Sequence, residues 1–410
     1  MNLTLKNLSK IFMKTNWQIK KISEISEISS GNSAPQKKDL FKDGVYPFFR
    51  TSDVGIVHLS DHLTHVRDYL NKNGIKGLKL FTKGTILFPK SGASTFLNHR
   101  VIMGCDGYVS SHLATITPNP NNVQSKYLYY FLTTVDAKEI TSNSAYPSLK
   151  ISDISKINVP LPPIDKQEEI IKSLDNKFDK LTKIKQLQEE SISDTEKILS
   201  QKLHNIFEQG KIKNWKEEAL GEICEIARGG SPRPIQHYLT NDVDAINWIK
   251  ISDATDSTKY IYKTKQKITK EGLHKTRMVY PGDFILTNSM SFGRPYIMKT
   301  EGAIHDGWLL LRPKKELTEE YLYYFLSSDD IYSQFKKLAG GAVVQNLNSQ
   351  LVKGVKILIP SLAEQKEIVK ELDKLSEKIE NLKQLQKSQL EDFKKLEKAY
   401  LKEAFNGESI

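Results

Sequence analysis

Two polar segments, far apart in the chain, carry side chains whose hydrogen-bonding groups match the edges of nucleic-acid bases. The first is Lys90-Ser-Gly-Ala-Ser-Thr-Phe-Leu-Asn-His-Arg100, and the second is Asn288-Ser-Met-Ser-Phe-Gly-Arg294. In a major groove, arginine pairs with guanine and asparagine with adenine, while lysine and serine can hold phosphates. With an arginine from a third turn, the candidate DNA-contacting residues are Lys90, Ser91, Asn98, His99, Arg100, Arg233, Asn288, Ser289 and Arg294. The alternative is that these polar loops only close turns of a sheet.

Motifs for catalysis or cofactor binding are missing from the sequence. There is no Gly-x-x-x-x-Gly-Lys-Ser/Thr phosphate loop, no Gly-x-Gly-x-x-Gly turn and no Asn/Asp-Pro-Pro-Tyr/Phe tetrapeptide of amino-methyltransferases. Asp165 and Glu168 flank Lys166 in a nuclease-like arrangement, but they fall in the first turn of a predicted helix, where the helix dipole favours acids. We therefore predict a chain that performs no catalysis and holds no metal ion or cofactor.

The positive charge of the chain is confined to two segments. The net charge is +11, from 60 basic and 49 acidic residues. Residues 1–163 carry +9 and residues 211–361 carry +5, whereas residues 164–210 and 362–410 carry −2 and −1. A polyanion such as DNA would be attracted to the two basic segments.

An internal repeat explains this alternation. Lys-Gln-Leu-Gln at 185–188 recurs at 383–386, and the pairs Trp17/Trp215, Pro162/Pro360 and Gln167/Gln365 share the same offset of 198 residues. The hexapeptide Tyr-Leu-Tyr-Tyr-Phe-Leu stands at 127–132 and again at 321–326. The sequence therefore predicts a tandem duplication of one unit, a basic globular block followed by a helix.

Two long segments have the apolar spacing of coiled-coil helices. Each follows a proline-containing stretch, and its apolar residues recur mostly at steps of three or four. The predicted interface residues are Leu174, Leu181, Ile184, Leu372, Leu375, Ile379 and Leu382. Because the first helix leads into the second block, pairing along the length requires the helices to be antiparallel. The alternative is two separate amphipathic helices, each packed on its own block.

The predicted fold class is α+β, with two mixed α/β blocks joined by an antiparallel coiled coil in a pseudo-two-fold dumbbell. The expected boundaries are an N-terminal segment, 1–16, packed near the end of the second helix, the first block, 17–160, the first helix, 161–210, the second block, 211–358, and the second helix, 359–410.

Together these features resemble the specificity (S) subunit of type I restriction–modification systems, over essentially the whole chain. The resemblance rests on the helix starts Leu161-Pro-Pro-Ile-Asp-Lys-Gln-Glu-Glu-Ile170 and Ile359-Pro-Ser-Leu-Ala-Glu-Gln-Lys-Glu-Ile368. It rests also on the turn Gly229-Gly-Ser-Pro and the strand Gly282-Asp-Phe-Ile. The first block departs from the pattern with the looser turn Gly31-Asn-Ser-Ala-Pro35.

The resemblance implies that each block is a target recognition domain, which reads one half of a bipartite double-stranded DNA target. It implies that the helices are spacers that set the distance between half-sites and dock two modification (methyltransferase) subunits. Two restriction (translocase-nuclease) subunits complete such an assembly, and S-adenosylmethionine, Mg and ATP are expected on those partners. Two alternatives stay open, a coiled-coil scaffold that binds protein or anionic glycan, and the specificity subunit of a type II-like fused enzyme.

The sequence favours the cytoplasm of a bacterium or archaeon. Its longest apolar runs are strand-sized, so we expect no membrane-spanning helix and no membrane partner. Its first residues lack a signal-peptide pattern. The two cysteines, Cys105 and Cys224, suit a reducing compartment.

Overall fold

The computed structural model describes residues 17–56, 62–140, 148–254, 259–288, 293–314, 317–339 and 347–406. Contacts divide the chain into two compact units, residues 1–188 with 388–410, and residues 189–387. Each unit therefore contains one globular block and one half of each long helical segment. The predicted N-terminal segment, 1–16, lies outside the described residues.

The first unit is built on a five-stranded sheet. Its strands are β1 Gln18–Lys21, β2 Ser26–Ser30, β3 Tyr46–Phe49, β4 His62–Leu63, β5 Asp68–Leu70, β6 Ile86–Pro89, β7 Val101–Met103, β8 Tyr108–Val109, β9 Leu113–Pro118 and β10 Asn158–Leu161. The main sheet has the order β2-β9-β6-β7-β4, and a smaller sheet has the order β5-β3-β8. All four residues of β6 are buried, as expected for a central strand covered on both faces. Strand β1 pairs antiparallel with β10, which joins the start of the block to its exit.

Helices surround this sheet and continue into the long segment. They are α1 Ile22–Ile25, α2 Thr51–Ile56, α3 Ser125–Thr133, α4 Ala137–Ile140, α5 Ile151–Ile154 and the long helix α6 Ile164–Ile212. Helix α3 is the first copy of the repeated hexapeptide, and its aromatic residues are buried in the main core of the unit. Residues Leu401, Ala404 and Phe405, from the far end of the chain, belong to the same core.

The second unit repeats this arrangement. Its strands are β11 Lys216–Ala219, β12 Cys224–Arg228, β13 Leu239–Thr240, β14 Ile246–Ile249, β15 Tyr260–Ile261, β16 Gln266–Ile268, β17 Arg277–Val279, β18 Phe284–Thr287, β19 Pro295–Met298, β20 Gly302–Ile304, β21 Trp308–Pro313 and β22 Lys356–Ile359. Its helices are α7 Leu220–Ile223, α8 Glu319–Leu326, α9 Asp329–Ala339, α10 Ser349–Lys353 and α11 Leu362–Phe405. The sheet order β12-β21-β18-β19-β15 follows that of the first unit strand by strand, and β11 pairs with β22 as β1 does with β10. A second sheet, β13-β16-β14-β20-β17, has two more strands than its counterpart.

The long helices pair antiparallel within each unit. In the first unit, Lys177 Nζ lies 3.0 Å from Glu403 and Lys185 Nζ lies 2.6 Å from Glu397. Higher residue numbers in α6 therefore pair with lower residue numbers in α11. In the second unit, Lys202 pairs with Glu371 at 2.5 Å. The predicted tandem α+β fold with two long antiparallel helices is confirmed.

The predicted helix interface is only partly correct. Leu174, Leu181, Leu372 and Ile379 are buried and Leu375 is half-buried, but Ile184 is 47% exposed and Leu382 is 39% exposed. At about 100° per residue, a step of seven residues returns to the same face within about 20°. The position three residues further on lies about 60° away, at the border of this face, where Leu375 is half-buried but Ile184 and Leu382 are exposed. Ile184 and Leu382 are therefore surface residues.

Candidate nucleic-acid interface

The first candidate loop begins where β6 ends. Lys90 and Ser91 are half-buried there, and the Ser91 hydroxyl lies 2.7 Å from Nδ1 of His112. The backbone N–H of Lys90 donates to the carbonyl of His112 at 3.0 Å, and its own carbonyl accepts from Leu149 at 2.7 Å. The structure therefore brings Lys90, Ser91 and His112 together beside the end of β6 and the start of β9. His112 is a polar group that the sequence analysis missed.

The second half of this loop has a structural role instead. Asn98 adopts a left-handed backbone conformation (φ 56°), its side-chain amide donates to Asp136 at 3.1 Å, and its side-chain oxygen accepts from the N–H of Ala137 at 2.8 Å. These bonds hold the first turn of α4, since a helix start leaves backbone donors to be satisfied. Both side-chain groups of Asn98 are therefore engaged in hydrogen bonds within the fold. His99 is half-buried, and burial together with the adjacent Arg100 lowers its pKa.

The prediction that Arg100 contacts DNA is wrong. Its side chain is fully buried, with the guanidinium carbon 3.3 Å from the centre of the Phe88 ring and Nη1 donating to the carbonyl of His99 at 2.7 Å. Burial lowers the pKa of Arg100 to about 9, although Asp136 acts in the opposite direction. The residue type suggested a base contact, whereas the loop turns this side chain into the core.

In the second block, Asn288 is also buried, and its assignment as a base contact is corrected. Only 1% of Asn288 is exposed, and its side-chain amide donates to the backbone carbonyl of Asp306 at 2.7 Å. Its backbone carbonyl accepts from Leu347 at 2.9 Å. Asn288 therefore fixes the loop after β20 instead of facing solvent. Ser289 lies outside the described residues.

Arg233 is exposed to solvent, and a network of hydrogen bonds around Asp306 lies beside it. Its side chain is 80% exposed, and Nη2 lies 3.3 Å from Oδ2 of Asp306. The other carboxylate oxygen of Asp306 accepts from the Ser231 hydroxyl at 2.8 Å, and its backbone carbonyl accepts from Nε of Arg228 at 3.2 Å. Arg294 directly precedes β19 of the same block and is also exposed. Its guanidinium carbon lies 5.8 Å from the centre of the Tyr296 ring.

Asp306 carries the negative charge that its ion pair with Arg233 requires. Partial burial raises its pKa, but the Ser231 hydroxyl bond, His305 and Arg233 together lower it below its ordinary value. The carboxylate is therefore ionised at neutral pH and can orient Arg233 while leaving the outer guanidinium donors free for a base or phosphate. Arg228 and Asp306 were missed by the sequence analysis, although Arg228 stands directly before the Gly229-Gly-Ser-Pro turn.

A polar cleft lies elsewhere on the second block. Its volume is about 420 Å³, and its walls are formed by Leu239, Thr240, Asn241, Thr264, Lys265, Gln266 and Lys267. Hydroxyl, amide and ammonium groups of this kind commonly bind phosphate and sugar oxygens. Sequence analysis missed the cleft because its two sides come from separate strands, β13 and β16.

Over the described ranges, no group of three His, Cys, Asp or Glu side chains is arranged to hold a metal ion. No described helix combines the length and apolar character needed to cross a membrane.

Two copies of one α+β block, each packed with an antiparallel stretch of the two long helices, define a class of tandem-repeat proteins. The family model described as "Type I restriction modification DNA specificity domain" matches residues 14–193 and again residues 212–392. The chain therefore belongs to the type I restriction–modification DNA specificity family, with two copies of the domain, and the resemblance drawn from its motifs is confirmed.

Curated relatives agree along nearly the whole length. The putative type I restriction enzyme MjaX specificity subunit of Methanocaldococcus jannaschii is 26% identical over 402 residues, which cover 93% of this chain and 91% of that protein. The EcoR124I/EcoR124II specificity subunit of Escherichia coli is 25% identical over 286 residues, covering 65% of this chain and 67% of that one. This family membership confirms the interpretation as a non-catalytic specificity subunit.

Solved structures show the same fold. A chain from a study of complex assembly and conformational transition of the type I R-M system has a TM-score of 0.72 at 18% identity, covering 96% of this chain and 98% of that chain. The HsdS subunit from Thermoanaerobacter tengcongensis has a TM-score of 0.58 at 20% identity, with the same coverage.

Proposed function

We propose that this chain is the sequence-specific DNA-binding subunit of a type I restriction–modification complex, in which each block reads one half of a bipartite double-stranded target. The observation that carries the proposal is the pair of equivalent sheets with unlike loop residues. The same strand order presents Ser91 and His112 in the first block but Arg233 and Asp306 in the second. One scaffold with two different sets of donors fits two different half-sites.

The exposed cations supply the two kinds of DNA contact. Arg233 is oriented for a base edge, because its ion pair with Asp306 restricts the guanidinium without burying it. Lys90, Arg294 and the lysines of the polar cleft hold phosphates, which fix the register of each block on the duplex.

Two matching apolar patches on the long helices dock the modification (methyltransferase) subunits. In the first unit the exposed residues are Ile184, Leu187 and Leu396, and in the second unit they are Leu382, Leu385 and Ile198. Each residue of one patch is the repeat equivalent, 198 positions away, of a residue in the other. Exposed apolar groups kept at equivalent positions mark an interaction surface, and two such surfaces fit two copies of one partner.

The remaining components follow from this assembly. Two restriction (translocase-nuclease) subunits join the complex, and S-adenosylmethionine, Mg and ATP are held by the partner subunits while this chain holds none. We place the chain in the cytoplasm, where its DNA target is. The two apolar patches favour this complex over a scaffold for anionic glycan, which would not require them.

The test is an exchange of the first block, residues 17–160, for that of a relative, followed by methylation mapping of DNA treated with the reconstituted complex. We expect one half of the target to change and the other half to stay the same. The reciprocal exchange of residues 215–358 should change only the other half. Retention of the whole original target in either exchange would refute the proposal, as would DNA binding that is insensitive to salt.

A further inference from the structure

Several residues of the internal repeat lie outside the candidate DNA-contacting loops. The structure brings them together at the junction between each block and its long helix. In the first unit, Gln167 on the first turn of α6 is fully buried. Its side-chain nitrogen donates to the carbonyls of Pro162 (2.9 Å) and Asn122 (3.1 Å), and its side-chain oxygen accepts from the N–H of Gln124 (2.9 Å). One side chain thus bonds the helix start to the segment before α3.

The second unit makes the same junction with Gln365, which is 1% exposed. Its side-chain nitrogen donates to the carbonyl of Pro360 at 3.1 Å, and its side-chain oxygen accepts from the N–H of Thr318 at 2.9 Å. Gln124 and Thr318 immediately precede α3 and α8, so the two glutamines bond equivalent points of the two blocks.

The first tyrosine of each hexapeptide adds a second bond to the junction. The Tyr127 hydroxyl donates to the carbonyl of Pro160 at 2.5 Å, and the Tyr321 hydroxyl donates to that of Leu358 at 2.6 Å. Both acceptors lie in the strand that leaves the block. The hexapeptide helix is therefore bonded to the exit strand as well as packed on the core.

The fourth residue of the hexapeptide reaches the long helix itself. The Tyr130 hydroxyl donates to Asp175 at 2.5 Å, and the Tyr324 hydroxyl donates to Asp373 at 2.6 Å. Each aspartate is eight residues beyond the buried glutamine of its own helix. The block is thus bonded to two points on the helix, about 12 Å apart at about 1.5 Å per residue.

A lysine accompanies this aspartate in both units, but it comes from different places in the sequence. In the first unit Lys126 Nζ lies 2.9 Å from Asp175. The repeat equivalent of Lys126 is Glu320, and in the second unit Lys259, from the loop before β15, lies 3.8 Å from Asp373 and 5.1 Å from the Tyr324 ring centre. The same tyrosine–aspartate–lysine group is therefore built from non-equivalent positions.

We propose that this junction, the Gln, two Tyr, Asp and Lys of each unit, holds its block at a fixed angle on its long helix and thereby determines which gap between half-sites is accepted. The inference rests on the proposed function and assigns positioning residues to it. A tilt of about 10° at the junction would move a loop ~20 Å away by about 3.5 Å, close to the rise of one base pair. Two attachment points on the helix resist such a tilt, whereas one would allow it.

The experiment measures methylation by the complete reconstituted complex on a DNA pool in which the two native half-sites are separated by every gap from three base pairs shorter to three longer. The variants are Tyr130→Phe and Tyr324→Phe, each of which removes one hydroxyl from a helix attachment. Tyr108→Phe is the matched control, because Tyr108 is a buried tyrosine of the first block away from the junction. We expect each junction variant to raise methylation at gaps one base pair from the native one at least tenfold relative to the native gap, with both half-site sequences unchanged.

Other outcomes separate the two proposals. Junction variants that keep the single native gap, even with a lowered melting temperature, would overturn the positioning role and leave the DNA-reading function intact. The same gap relaxation in Tyr108→Phe would also overturn it, because general loosening would then suffice. If the unmodified complex showed no preference for any gap, the bipartite function itself would fail.

Discussion

Arginines of this chain serve opposite purposes according to where the backbone places them. Arg233 projects into solvent beside Asp306, whereas Arg100 is enclosed against Phe88 in the core. An exposed guanidinium keeps donors that can bind a ligand. A buried guanidinium contributes to packing and to hydrogen bonds within the fold instead. Only the first kind can contact DNA.

Replacing Arg233 by alanine tests recognition at this scale. Arg233→Ala should weaken binding to the native target by about 1–3 kcal/mol, or about 5- to 150-fold in Kd, because a guanidinium contact to a base edge is lost. Fluorescence anisotropy with the native duplex, and with a duplex whose second half-site is scrambled, measures the effect. An equal loss on both duplexes would show that Arg233 binds phosphate and does not read a base.

His305 provides a pH-dependent property of the second unit. Burial lowers its pKa, with a smaller contribution from Lys250, and Asp306 and Asp253 offset this only in part. Below the ordinary pKa of about 6.5, the unfolded chain therefore binds more protons than the folded one, and stability falls as the pH decreases. We expect a smaller fall in Tm from pH 7 to pH 5 in His305→Asn than in the native protein. The exposed His274 serves as control, and an identical change in His274→Asn would contradict the assignment.

Residue types alone predicted that the 90–100 segment is polar and turn-forming, but not which side chains leave the surface. The difference comes from a short 3-10 helix at Ala93–Leu97 and the left-handed conformation of Asn98, which together turn Arg100 inward. Asn288 was misassigned for a similar reason, since its partners, Asp306 and Leu347, are distant in sequence. Contacts between distant segments decide side-chain direction, and no local pattern encodes them.

At the scale of elements, the long helices contain a buried polar contact within the second unit. Gln386 is 3% exposed, and its side-chain nitrogen donates to Thr195 Oγ1 at 3.0 Å and to Ser191 Oγ at 3.2 Å. Its buried side-chain oxygen has no hydrogen-bond partner among the described residues. A buried polar contact between paired helices commonly fixes their register at a cost in stability.

Gln386→Leu should therefore stabilise the protein. Removing an unsatisfied buried oxygen and adding apolar contact is expected to raise Tm by a few degrees, since Thr195 keeps its bond to the carbonyl of Ser191 at 2.8 Å. Differential scanning fluorimetry measures this. Gln389→Leu changes an exposed glutamine and should leave Tm within about one degree. A lower Tm for Gln386→Leu would show that its hydrogen bonds outweigh its unsatisfied oxygen.

Periodicity predicted the long helices well, because each carries a regular apolar stripe over more than ten turns. It failed at Ile184 and Leu382, which share the apolar character of their buried neighbours but lie outside the face that packs. An apolar residue on a helix can face a core or a partner protein, and the sequence pattern does not distinguish the two.

At the scale of the whole molecule, duplication accounts for most of what could be predicted. The offset of 198 residues between Gln167 and Gln365, and the offset of 194 between the two hexapeptides, predicted two equivalent units from the sequence alone. The repeat could not reveal that Lys126 and Lys259 occupy the same structural place, because they are not equivalent in sequence. Convergent contacts of this kind emerge only from the fold.

Lengthening both helices tests the spacing role of the molecule. Seven residues inserted into each helix where the units divide, after residue 188 and after residue 387, leave each unit intact. At about 1.5 Å per residue this adds about 10 Å, so methylation mapping should show a gap longer by about three base pairs with both half-sites unchanged. An unchanged gap would mean that the helices do not set the distance.

The division of the chain also bears on its biosynthesis. The second unit is one continuous stretch, 189–387, whereas the first requires residues from both ends of the chain. The Phe405 ring contacts the rings of Tyr127 and Phe131, with centroids 5.4 and 5.5 Å apart, so the core of the block translated first is completed by residues translated after the whole second unit. On the ribosome, the later-encoded unit therefore has all of its residues before the earlier one does. A premature stop codon just before Leu401 would remove Leu401, Ala404 and Phe405 from the core of the first unit and spare the second.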